Sequence, residues 1–267
     1  MKQRHQATII TDMDLVWLKV PQWEDRVGFV HGFLGRRGGK SLGDYASLNA
    51  SFRVGDNPEL VKDNLCDMKK AVGLHDLRIV TMKQVHGHHI IDVKDKHLKE
   101  AGEADGMVSE DREIFLGVLT ADCVPILLNV PDRKLVAGLH AGWRGTLAGI
   151  TIKMVNHLRE RYDVEPASVE VAMGPAIGPC CYEIGTDVYN PMVQKWGGAA
   201  ERTLKLRDGK SYLDLRQLNR LQLEEAGVPP EKTYLIGPCT SCAANDFFSY
   251  RRQKRKTGLQ ISFIGWL

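Results

Sequence analysis

The sequence predicts an α+β protein, one compact domain over residues 1–267 with mixed sheets packed against helices. Three observations carry that expectation. Strand-like runs outnumber helical ones, the two kinds do not alternate strictly along the chain, and several runs are apolar throughout, as expected of strands covered on both faces. A doubly wound parallel sheet would need regular alternation.

In chain order, apolar runs predict strands over 14–20 and 26–31. A helix over 58–72 follows Gly55-Asp56-Asn57-Pro58, in which Asp56 or Asn57 can cap the first turn and the proline is pre-organised for it. Strands are expected over 78–82, 89–93, 115–120, 124–130 and 134–140. Leu147, Ile150, Met154 and Leu158 then recur at spacings of three and four, with Lys153, His157, Arg159 and Glu160 outside, which predicts one amphipathic helix. A strand over 169–173 precedes a third helix, which starts after Asp214 with Leu215, Leu218 and Leu221 and ends near Gly227 before Pro229-Pro230. Strands over 233–236 and 259–264 complete the chain.

At 43% hydrophobic and 26% charged, the composition is that of globular material able to bury a core. The net charge of +3 is mild, and the run from Arg251 to Lys256 that carries much of it reads as a solvated loop and not as a nucleic-acid contact. The N-terminal segment contains Asp12 and Asp14 and lacks the apolar stretch of a signal peptide, and no run approaches the roughly 20 apolar residues of a membrane span. A cytoplasmic protein is expected, monomeric or weakly dimeric, its six cysteines reduced.

His86, Cys123 and His140 stand out within Lys-Gln-Val-His-Gly, Thr-Ala-Asp-Cys-Val-Pro and Leu-His-Ala-Gly-Trp-Arg-Gly. Each falls near the end of an expected strand. Two imidazoles and a thiolate suit zinc, and three protein ligands leave a tetrahedral position open, the mark of a catalytic site. The same ligand set leaves copper open, and with it a copper-dependent phenol oxidase. A multicopper cluster needs several His-x-His pairs, and His86-Gly-His88 is a single one among nine histidines. Cys123 can also be read as a nucleophile with His86 or His140 as base, as in an amidase, which leaves one histidine surplus. A metal-binding protein without catalytic activity is a further alternative.

Other motifs are weaker. Gly35-Arg-Arg-Gly-Gly-Lys-Ser41 fails the Walker pattern because Leu34 stands where its first glycine should be, although Arg36 or Arg37 could still clamp an anion. Cys181-Tyr-Glu183 with Pro238-Cys239-Thr-Ser-Cys242 imitates the zinc deaminase signature, yet the chain has no His-x-Glu, and packed cysteines bordering a turn are the simpler reading.

Taken together, these motifs resemble the YfiH/YlmD family of laccase-domain proteins. The likeness runs through Arg36-Arg-Gly-Gly-Lys-Ser, Ser47-Leu-Asn49, Val54-Gly-Asp56, Lys83-Gln-Val-His86-Gly, Ala104-Asp-Gly-Met, Thr120-Ala-Asp122-Cys123-Val-Pro, His140-Ala-Gly-Trp-Arg144-Gly, Gly174-Pro-Ala-Ile-Gly and Phe247-Phe-Ser-Tyr-Arg251-Arg252. It implies a compact α+β fold, zinc held by His86, Cys123 and His140, and phosphorolysis of adenosine, inosine, guanosine and methylthioadenosine to base and pentose 1-phosphate. Deamination of adenosine is implied as well. Within that reading Asp122 is a candidate proton shuttle or orienter of the metal site, Arg36 and Arg144 are candidates for phosphate, Asn49 and Gln84 for ribose or base, and Lys83 for added positive charge. Arg53 departs from the family pattern, in which another residue is expected before Val-Gly-Asp.

Overall fold

The computed structural model describes residues 8–12, 15–75, 77–254 and 256–267. The N-terminal reading at residues 1–7, Asp14 at the start of the first expected strand, and Arg255 of the basic run lie outside the described residues.

Among the described residues, sixteen strands and six α-helices are distributed as β1 (Thr8–Asp12), β2 (Leu15–Lys19), β3 (Phe29–Leu34), α1 (Pro58–Ala71), β4 (Arg78–Lys83), β5 (Ile90–Asp92), β6 (Glu100–Glu103), β7 (Gly106–Ser109), β8 (Ile114–Thr120), β9 (Val124–Val130) and β10 (Leu135–Ala141). There follow α2 (Trp143–Ala148), α3 (Ile150–Tyr162), β11 (Glu170–Met173), β12 (Glu183–Ile184), α4 (Thr186–Thr203), β13 (Leu204–Arg207), β14 (Lys210–Leu213), α5 (Leu215–Glu225), β15 (Thr233–Leu235), α6 (Tyr250–Gln253) and β16 (Gln260–Trp266).

Two large mixed sheets face each other. One runs β1-β2-β3-β16-β8-β4-β6 and the other β15-β11-β9-β10-β7-β5, with β12-β14-β13 as a small third sheet. Pairings are mostly antiparallel; β4 is parallel to both β8 and β6, β5 to β7, and β11 to β15.

The side chains alternate as a strand's period of two requires, but both faces are apolar. On β8, Ile114, Leu116 and Val118 enter the core between the sheets, where they meet Leu127 of β9 and Val136 of β10. Phe115 points the other way, onto Met68 of α1, Leu74 and Phe263. From β9 and β10, Ile126, Leu128, Ala137 and Leu139 pack under Ile150, Met154 and Leu158 of α3 and Leu218 of α5. The order of layers is therefore α1, sheet, sheet, helices α2–α5. Gly138 lies between the sheets, where a Cβ would stand 3.0 Å from Val118 Cγ2.

Asn57 caps α1 by accepting the Glu59 N–H, and Asp214 caps α5 by accepting that of Gln217. The single helix expected through Leu147 and Leu158 is two: Gly149, at φ 78° and ψ 42°, ends α2 and starts α3 in a left-handed conformation that breaks the ladder. The strand expected over 26–31 begins at Phe29, because the chain turns at Gly28 (φ 78°) and Arg26 forms a bidentate pair with Glu170. Strands β6, β7 and β12–β14 are too short to carry a readable period; α4 carries one in Val188, Tyr189, Met192, Val193 and Trp196, but Pro191 and the non-helical Gly197 interrupt it. Among the described residues, no helix is long and apolar enough to cross a membrane.

Candidate metal centre

The two sheets deliver the three candidate ligands to one place. His86 lies in the loop after β4, Cys123 in the turn from β8 to β9, and His140 on β10. Their donor atoms all lie within 4.8 Å of one another. Cys123 Sγ is 3.9 Å from His86 Nε2, and the two imidazole rings meet edge to face with centroids 4.8 Å apart. Sulfur and nitrogen bound to one tetrahedral zinc stand about 3.6 Å apart, so the Cys123–His86 pair lies within a few tenths of an ångström of that spacing. Gly142 makes the approach possible, since a Cβ there would lie 3.1 Å from both Cys123 Sγ and His86 Cδ2.

Asp105, in the loop between β6 and β7, was given no role by sequence reasoning. Its side chain is fully buried. One oxygen accepts the His86 N–H at 3.0 Å and engages His140 Nδ1 at 2.7 Å; the other accepts the N–H groups of Gly87 at 2.6 Å and Val85 at 3.3 Å. This single carboxylate holds the His86 loop, with His86 at φ 59°, and orients the His140 ring so that Nε2 is its free donor. The only sequence signal for it was its place in Ala104-Asp-Gly-Met.

Burial opposes charge here, and specific partners override it. Desolvation would raise the Asp105 carboxyl, yet the hydrogen bond from His140, followed by the charge of His140 and the backbone donors, holds it below the usual carboxylate range. Burial also raises the Cys123 thiol, but His140 and then His86 bring it down to about 6. Burial lowers His140, whereas the Cys123 thiolate and Asp105 raise it to about 9. The Cys123 sulfur is thus poised in the ionised form that can bind a metal, and coordination by His140 would release a proton.

Asp122, at φ 98°, is mostly buried and has both oxygens engaged. Oδ1 accepts the Thr240 hydroxyl at 2.6 Å and Oδ2 the Arg251 N–H at 2.7 Å. These bonds pin the turn that carries Cys123, so the geometry favours orientation over proton transfer.

The cluster opens onto a cavity of about 1390 Å³ whose wall includes Trp143, Arg144 and Tyr182 as well as the three candidate ligands. Arg144 is exposed, its guanidinium 4.3 Å from the Trp143 ring centroid, and it makes no ion pair among the described residues. The other contact candidates are placed differently. Arg36 is not in the cavity wall; its guanidinium donates to the Ala46 and Ala244 carbonyls and stacks on Phe248, which makes it a loop staple. Asn49 is fully buried and spends its amide on Ser51, Asp56 and the Leu259 N–H, leaving nothing for a ribose. Gln84 lines the cavity but uses both ends of its amide on the Leu119 main chain. Lys83 is paired with Glu103 at the surface, outside the wall. Arg53 lines the cavity, paired with Glu100. In the basic run, Arg251 and Arg252 donate to main-chain carbonyls of neighbouring loops.

A two-sheet α+β scaffold with an open His-Cys-His cluster at the ends of its strands places a donor set able to hold a metal at the wall of a pocket. The chain belongs to the family described as multi-copper polyphenol oxidoreductase laccase, whose model matches residues 30–267. It is 37% identical over 249 residues to the purine nucleoside phosphorylase YlmD of Geobacillus stearothermophilus, covering 89% of this chain and 90% of that protein. It is 35% identical over 251 residues to the purine nucleoside phosphorylase YfiH of Escherichia coli, covering 94% and 98%. The crystal structure of the Geobacillus YlmD superimposes with a TM-score of 0.90 at 34% identity over 97% of this chain and 99% of that one. A Bacillus licheniformis protein titled YfiH gives 0.88 at 30% identity, with 97% and 99% covered.

Proposed function

We propose that this chain is a zinc-dependent purine nucleoside phosphorylase that also deaminates adenosine, acting in the cytoplasm as a monomer or weak dimer. The observation that carries it is the convergence of His86, Cys123 and His140 at the wall of a cavity large enough for a nucleoside and phosphate. The purine nucleoside phosphorylase names of the relatives support it. Zinc held by His86, Cys123 and His140 would supply Lewis acidity and the means to activate water near neutral pH.

The chain's own residues supply the rest. Asp105 fixes His140 and the His86 loop, so the donor set is ordered before it is filled. Trp143 and Tyr182 offer ring surfaces to a purine. Arg144, without a carboxylate partner among the described residues, is the candidate for phosphate. In phosphorolysis a phosphate oxygen bonds to the sugar's anomeric carbon as the bond to the base breaks; the base leaves with the electron pair and takes up a proton. In deamination water adds at the amino-bearing carbon and ammonia departs.

Cys123, His140 and Asp105 are also the parts of a cysteine hydrolase: a thiolate, its imidazolium and an orienting carboxylate. His86 has no task in that reading, which is why the metal reading stands first.

Product analysis decides. Zinc-loaded protein incubated with adenosine, with and without phosphate, is expected to release adenine and ribose 1-phosphate only when phosphate is present, and inosine in either case. A Cys123→Ala variant should do neither. Unchanged adenosine in every tube would reject the assignment.

A further inference from the structure

Four of the cysteines meet at a second point of the fold. Cys180 and Cys181 lie in the loop from β11 to β12, and Cys239 and Cys242 in the loop after β15. Main chain holds the loops together: Ala176 and Cys239 form a parallel bridge, and the Thr240 N–H donates to the Ala176 carbonyl at 3.1 Å. All four sulfurs lie within 4.8 Å of one another, with Cys242 Sγ 3.5 Å from Cys180 Sγ and 3.4 Å from Cys181 Sγ. Four thiolates on one tetrahedral zinc, with bonds of about 2.3 Å, stand about 3.8 Å apart. The observed spacing is that of sulfurs able to share an ion.

Two further features suit ionised sulfur. The Gly178 N–H points at Cys239 Sγ at 3.1 Å, and a Cβ on Gly178 would crowd Cys180 Sγ at 3.3 Å. Arginines surround the cluster: Arg207 donates to the carbonyls of Pro179 and Cys180, Arg216 to those of Ile236 and Gly237, and Arg251 to those of Cys181 and Glu183. Among the described residues none of the three forms an ion pair with a carboxylate. A zinc tetrathiolate carries two negative charges, which these cations would balance.

We propose that Cys180, Cys181, Cys239 and Cys242 form a second, structural zinc site that clamps the two loops. With four protein ligands the site is closed and leaves no position for substrate. Its consequence reaches the candidate active centre through hydrogen bonds. The Ile177 N–H, beside the first loop, donates to the Asp122 carbonyl at 2.9 Å, and Thr240, in the second loop, donates its hydroxyl to the Asp122 carboxylate. Asp122 precedes Cys123. The clamp therefore positions the turn that carries the catalytic ligand.

Metal content tests the proposal. Protein purified under reducing conditions is expected to hold about two zinc ions per chain, and about one in each of Cys123→Ala, Cys239→Ser and Cys242→Ser. Cobalt-loaded Cys123→Ala should retain intense sulfur-to-metal charge transfer, which the double variant Cys123→Ala/Cys239→Ser should lose. Cys242→Ser, an exposed position, is expected to fold even if Cys239→Ser does not, and to melt at a lower temperature than the parent. The proposal is overturned if metal content is the same in the parent and in Cys242→Ser. It is also overturned if the reduced protein holds no zinc beyond what Cys123→Ala removes. Failure of the His-Cys-His centre alone would appear differently, as a Cys123→Ala variant with the parent's full zinc content.

Discussion

At Asp105, one buried carboxylate accepts three backbone N–H groups and orients an imidazole. Replacing it with asparagine exchanges one acceptor for an N–H₂ that faces other donors, leaving a buried donor unsatisfied at a cost of about 1–3 kcal/mol. Asp105→Asn should therefore weaken zinc binding by roughly 10–100-fold, read by competition with a chromogenic chelator. Unchanged affinity would remove Asp105 from the metal site. The two arginines separate in the same way. Arg144→Ala should raise the KM for phosphate about tenfold or more with little effect on the melting temperature, whereas Arg36→Ala should lower the melting temperature and leave kcat and KM alone. The reverse pattern would restore Arg36 as the anion contact. His86, Cys123 and His140 were legible in the sequence because imidazole and thiolate have few surface uses in such settings. The loop contacts of Asn49 and Arg36 were not legible, because a polar side chain in a glycine-rich loop can staple the loop as readily as it can bind a ligand.

Among the elements, β8, β9 and β10 were read nearly to the residue, since strands covered on both faces carry long apolar runs that no helix period fits. The β12–β14 sheet was not, because partly exposed strands of two to four residues carry no such run. On β3, the buried His31 accepts the Val20 N–H through Nε2 at 2.9 Å. Burial first, then the nearby positive charges of Lys19 and Arg26, lower its pKa to about 3 from 6.5. Between those values the unfolded chain binds a proton that the native state refuses, so stability falls as pH drops from 6.5 toward 3. The slope from this residue approaches about 1.4 kcal/mol per pH unit. Urea unfolding at pH 6.5 and 4.5 should show that loss in the parent and lack this contribution in His31→Gln, whose amide oxygen can still accept the Val20 N–H. Equal losses in both proteins would mean that other groups govern the acid limb.

The whole molecule is a pair of sheets whose cores do not depend on metal. Three apolar clusters, one between the sheets and one on each outer face, are formed without any candidate ligand. Zinc removal by a chelator should therefore leave the far-ultraviolet circular dichroism unchanged, lower the melting temperature through lost binding energy, and abolish nucleoside turnover until zinc is restored. Turnover that survives chelation but is lost on alkylation would select the cysteine hydrolase reading.

The sequence by itself determined the strand-rich α+β class, the capped helices α1 and α5, and the identity of three residues able to hold a metal. Each rests on local period or on the donor chemistry of single side chains, which neighbours in the chain reveal. Tertiary structure alone decided that Asp105 reaches His140 across 35 residues and that Cys180 meets Cys242 across 62. Those contacts arise where two packed sheets bring distant loops to a common edge, a geometry set by the sum of buried side chains and not by the residues that meet there.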